Sequence, residues 1–159
     1  MAITKLMAAV ANYAKKRDAL SFSEANLIGA NLEGLDLFGA DFSGATLSLA
    51  LLNGANLSHA HLEVANIVGA KMRWAQLGRA DLEEANLSFA DLTNAGLQDA
   101  YLCEANLKRA NLTGANLEGA DLSYADLRRA NLTGANLEGA IVTNWKVARA
   151  TMPDGTIHE

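Results

Sequence analysis

Few side chains in this chain can do chemistry, and none is spaced for it. Its histidines are His59, His61 and His158, and no cysteine or carboxylate set stands near them at the spacing a metal centre needs. The single cysteine, Cys103, excludes an internal disulfide framework. Read at the period described below, it faces outward beside Glu83 and Ser123, where neighbouring acid should raise its pKa and leave it a poor nucleophile. No G-x-S-x-G, phosphate-binding loop or dinucleotide fingerprint is present. No catalytic, cofactor-binding or metal-binding residue is assigned, no cofactor is implied, and no enzymatic activity is expected. What the surface can offer is charge and apolar area. With 13 Lys and Arg against 18 Asp and Glu the net charge is −5, which argues against the chain as a whole binding nucleic acid directly.

The element that must position these side chains is a repeat. Residues 111 to 140 read NLTGANLEGADLSYADLRRANLTGANLEGA, in which a ten-residue block recurs after an offset of 20. Within it runs a shorter beat of five: from Phe22 to Val147 every fifth residue is apolar, 26 in succession and mostly Leu. Two residues earlier stands Ala in nearly every case, and the residue just before is often Asn or Asp. Five matches neither the 3.6 of a helix nor the 2 of a strand, so the chain must turn a corner once per repeat to keep every fifth side chain inside. The offset of 20 closes a square after four repeats and stacks Leu112 under Leu132 and Leu117 under Leu137. At an inter-strand spacing of about 4.8 Å, roughly 6.5 coils make a rod of about 31 Å.

A chain with this A-(N/D)-L-x-x consensus resembles the pentapeptide-repeat family over roughly residues 20 to 150. The resemblance implies an all-β solenoid, a right-handed quadrilateral β-helix with four pentapeptides per coil and the central Leu inward. The MPDGT of the tail is similar to the ending of cyanobacterial members. Some relatives mimic B-DNA and inhibit DNA gyrase, a type II topoisomerase; their rods are longer and strongly acidic, and commonly pair end to end through a C-terminal helix.

Three segments are expected. Residues 1–20 carry Ile3, Leu6, Met7 and Val10 at helical spacing with Lys15, Lys16 and Arg17 at the end, which reads as an amphipathic cap over the first coil. The alternative, a signal peptide, has too short an apolar run, broken at Asn12. Residues 21–150 form the β-helix, and 151–159 a tail that either completes a looser last coil or is stopped by Pro153 and Gly155. The core is expected to hold Leu92, Leu97, Leu112, Leu117, Leu132 and Leu137, with Ala filling the remaining inward positions because so narrow a lumen has no room for more. Leu35 and Trp145 replace Ala only near the ends. Ten glycines stand at corners, where they permit positive φ, whereas corners bearing Trp74, Phe89, Tyr124 or Arg are expected to use a turn that does not need it.

Taking every twentieth residue sorts the outward side chains into four faces, centred on Phe22, Leu27, Leu32 and Leu37 and their successors. Face one collects Asp41, Glu63, Asp81, Glu83, Glu84, Glu104 and Asp121. Face two is apolar in its first half, with Ile28, Leu49, Val68 and Phe89, and basic in its second, with Lys108, Arg109, Arg128, Arg129, Lys146 and Arg149. Face three stacks Thr93, Thr113 and Thr133 with Lys71, Arg73 and Trp74 midway; face four is polar. The candidate contact residues for a partner are Leu49, Leu51, Val68 and Phe89 together with Lys108, Arg109, Arg128, Arg129 and Arg149. Each group also has a plain structural reading: strand propensity for the apolar set, and neutralisation by face one near Glu104 and Arg109 for the cations. The function expected is a non-enzymatic interaction or scaffold module with a protein partner, as a monomer or weak dimer in the cytoplasm. The alternative is the gyrase-inhibiting DNA mimic. No membrane association is expected, because no apolar run approaches the roughly 18 residues of a membrane span.

Overall fold

The computed structural model describes residues 20–159, so the cap expected over residues 1–20 lies, Leu20 apart, outside the described residues. From Ser21↔Asp41 to Asn131↔Thr151, every residue numbered in 1 or 6 makes a parallel bridge to the residue 20 further on. The chain is thus a stack of four-sided coils in register.

One repeat shows why five residues suffice. Asp91 N donates to Ala70 O of the preceding coil (2.9 Å), while Leu92 N and Asn94 N donate to Asn111 O (2.8 Å) and Thr113 O (2.9 Å) of the next. Ala95 N closes the turn on Leu92 O (3.0 Å). That leaves Thr93 N, which donates to the Asp91 side-chain Oδ1 at 3.2 Å. All five backbone donors are therefore bonded, and the Asn or Asp of the consensus is present because the fifth donor has no other partner. Where Lys71 stands in that place and cannot accept, Arg73 N is met instead by Asn53 Oδ1 from the coil before, at 3.0 Å.

The lumen is filled by the central Leu and the Ala two before it. Leu92, Leu97, Leu112, Leu117 and Leu132 are fully buried, as are the larger Phe42, Ile67 and Met72; Leu137 is half-buried, with Leu35 and Trp145 packed against the core. Val142 departs from the inward pattern and is 38% exposed. The reason lies in the tail. After the Asn131↔Thr151 bridge the chain reverses at Pro153 to Gly155 and returns antiparallel, with Arg149 N donating to His158 O and His158 N to Ala150 O. Val147 and Ala150 are buried there, while Val142 has no such cover.

The corners correct one expectation. All 26 residues numbered in 4 or 9 from Glu24 to Arg149 have φ between 52° and 68°, including Trp74 (55°), Phe89 (61°), Tyr124 (60°) and Arg129 (63°). Each is the third residue of a hydrogen-bonded turn, where a positive φ marks type II. A corner cannot choose another turn, because its N–H is already committed to the next coil; the ladder imposes the left-handed conformation whatever the side chain. For a non-glycine residue this costs about 1 kcal/mol, and most for a β-branched one such as Val64, at φ 58° and exposed. Val64→Gly is accordingly expected to stabilise the protein by about 1 kcal/mol, read as a rise of a few degrees in Tm. A lower Tm would show that the corner is not strained.

Candidate functional site

The turn closed by Ala110 N on Leu107 O places residues 108 and 109 on the edge joining face two to face three. Bridges 20 residues apart stack two columns along this edge. One reads Leu49, Gly69, Phe89, Arg109, Arg129, Arg149; the other reads Ser48, Val68, Ser88, Lys108, Arg128, Ala148. Of the candidate contact residues, Leu49 (63%) and Phe89 (53%) are strongly exposed and Val68 is half-buried, all on this edge. Leu51 lies around the corner on the flat of face three, where it bridges Asn31 and Lys71. Leu49 leans over Gly69, whose missing side chain leaves it room: a Cβ there would sit 3.0 Å from Leu49 Cδ2. The apolar and basic halves meet where the Arg109 guanidinium lies over the Phe89 ring, 5.5 Å from its centroid.

Cations and carboxylates are paired differently from the expectation. Glu104 and Arg109 stand on opposite edges of face two, at the turns that follow Leu102 and Leu107, and no ion pair joins them among the described residues. The neutralising group is Asp126, on the flat of face two and only 9% exposed. It accepts from Arg128 Nη2 (2.7 Å) and Nε (2.9 Å) and from Lys108 Nζ (3.1 Å). No carboxylate among the described residues pairs with Arg109, Arg129 or Arg149. A shallow depression of about 420 Å³ is lined by Lys108, Arg109, Arg128, Arg129, Ala148 and Arg149. Its hollow lies where Ala148 ends the Lys108 and Arg128 column. Asp126 escaped the sequence reading, although it is the one acid in a column of Asn66, Asn86 and Asn106 and sits two residues before Arg128.

Elsewhere the chemistry is sparse. His61 Nδ1 lies 3.3 Å from Glu63 Oε1, and the His59 ring lies against Phe38 at 5.1 Å. Burial, more than the acids Asp121, Glu104, Glu83 and Glu84 around it, pushes the Cys103 thiol up. Trp74 is covered by the Arg73 guanidinium at 4.8 Å.

Burial alone would raise the Asp126 carboxyl, but the hydrogen bonds from Arg128 and Lys108 outweigh it and hold the group at about 2. A folded-state pKa below the unfolded value of about 3.9 contributes stability above pH ~4 that is lost as pH falls through about 2. Asp126→Asn should therefore cost about 2 kcal/mol near neutrality and almost nothing at pH ~2. Chemical denaturation across that range checks it; a cost independent of pH would mean that the carboxylate charge is not what the two cations hold.

The model for pentapeptide repeats matches the chain in eight copies, over residues 20–54, 45–83, 70–109 and 110–144. No match is found among curated proteins. Among solved structures the chain is similar to HetL, a pentapeptide repeat protein involved in heterocyst differentiation regulation from the cyanobacterium Nostoc sp. strain PCC 7120. The two share 34% identity over 87% of this chain and 78% of that one, with a TM-score of 0.35. It is also similar to a pentapeptide repeat protein from the cyanobacterium Cyanothece 51142, at 30% identity over 88% and 94%, with a TM-score of 0.34. QnrB1, a plasmid-mediated fluoroquinolone resistance protein, matches at 23% identity over 79% and 78%, with a TM-score of 0.42. With the five-residue beat, the 20-residue ladder and the match to the repeat model in agreement, the chain belongs to the pentapeptide-repeat family.

Proposed function

We propose that this protein is a non-enzymatic interaction module: a rod of about 6.5 to 7 coils, capped by a helix over residues 1–20, that holds a protein partner along the edge between faces two and three. The observation that carries this reading is the column of Arg109, Arg129 and Arg149, continuous with Phe89 and Leu49 and supplied with no carboxylate among the described residues. Like charges one coil apart are mildly destabilising, and each arginine also occupies a left-handed corner. The column thus works against folding. Arginine and aromatic side chains are the usual anchors of protein interfaces, whereas Lys and Glu are depleted there. The acidic edge opposite, with Glu83, Glu84 and Glu104, would keep a partner's anions on the basic side.

The test is retention of native-cell proteins on the purified rod. Phe89→Ser combined with Arg109→Glu should abolish it while leaving Tm nearly unchanged, since both side chains are exposed. Glu83→Lys with Glu84→Lys should leave it intact. The reverse pattern, with the acidic-edge pair releasing a topoisomerase, would transfer the function to mimicry of DNA.

A further inference from the structure

We infer that the partner's contact is an extended segment whose apolar residues precede or follow a run of carboxylates, laid lengthwise along the Leu49 to Arg149 column. The inference rests on the interaction surface just proposed and goes beyond it by naming the chemistry of the occupant.

The column changes character once along its length. Leu49 and Phe89 are apolar and exposed, and Arg109, Arg129 and Arg149 follow at successive coils. A partner lying across the rod would meet one type or the other; only one lying along it meets both. Five coil steps separate Leu49 from Arg149, about 24 Å at ~4.8 Å per step, which an extended chain spans in about seven residues. The basic end is also shaped. Asp126 holds Lys108 and Arg128 in place on one side of the depression, and Arg129 and Arg149 stand on the other, with Ala148 leaving the space between. Five cations around that hollow face one carboxylate, and the one is already engaged by two of them. Guanidinium forks match carboxylates in bidentate geometry, and cations already fixed by the fold lose little freedom on binding.

A nucleic acid fits less well. The three stacked arginines cover only about 10 Å at the coil spacing, the column continues into apolar residues, and Glu63, Glu83, Glu84 and Glu104 along the far edge of face two would repel a phosphate backbone crossing it.

The probe is a random peptide library panned on the full chain, followed by affinity measurement of the selected peptides. Selected sequences should pair an apolar cluster with adjacent Asp or Glu. Their affinity should fall at least tenfold for Arg129→Glu with Arg149→Glu, and also for Arg129→Gly with Arg149→Gly, a pair that relieves two left-handed corners and so should raise Tm. Selected peptides that are basic, or indifferent to both pairs, would overturn the inference, as would tighter binding of a single-stranded oligonucleotide than of the acidic peptides. If peptide binding fails while Phe89→Ser with Arg109→Glu still abolishes retention of native proteins, the surface stands and the acidic occupant falls. If retention is indifferent too, both fall.

Discussion

The structure depends on a hydrogen-bond ladder that joins each coil to the one 20 residues away. Three of the five backbone donors in a repeat such as Asp91 to Ala95 go to neighbouring coils, one closes the turn, and one is taken by the Asp or Asn side chain. Side chains in the lumen need only be apolar and of the right size, which Leu and Ala supply throughout. The ladder sets the register, and the consensus is the set of residues that leaves no donor without a partner.

This division of labour frees the surface. The two corner residues of each repeat take no part in the core, and the backbone holds them in one conformation whatever their identity. A corner can therefore carry Gly, Phe or Arg at a cost of about 1 kcal/mol or less, and columns of like residues can accumulate along an edge. Arg109, Arg129 and Arg149 form such a column, and Leu49 and Phe89 continue it. The same rigidity lets a single buried carboxylate, Asp126, orient two cations on adjacent coils.

How much of this was legible in the sequence follows from what each feature depends on. The inward Leu, the square closure and the segregation of charge are periodic, and a period survives in one dimension. The conformation of the corners was misread because Trp74, Phe89 and Tyr124 were judged by their own preference for negative φ, whereas the ladder on both sides outweighs it. The Asp126 clamp was missed because it joins Arg128, two residues away, to Lys108 on the coil before, a pairing that appears only once the coils are stacked. Val142 keeps the beat yet is exposed, because its burial needs a next coil and the chain beyond Thr151 turns back instead. The neutralisation anticipated between Glu104 and Arg109 fails for a related reason: they are close in sequence but stand on different edges.

The most direct measurement is of the ladder itself, by scalar couplings across hydrogen bonds in isotope-labelled protein. The account requires the amide nitrogen of Leu92 to couple to the carbonyl of Asn111 and that of Leu112 to the carbonyl of Asn131, each 19 residues further on. Couplings at that separation, repeated from one coil to the next, would establish the four-sided closure. Couplings to carbonyls four residues earlier, or none between residues 19 apart, would contradict it, and with it every column on which the proposed site is built.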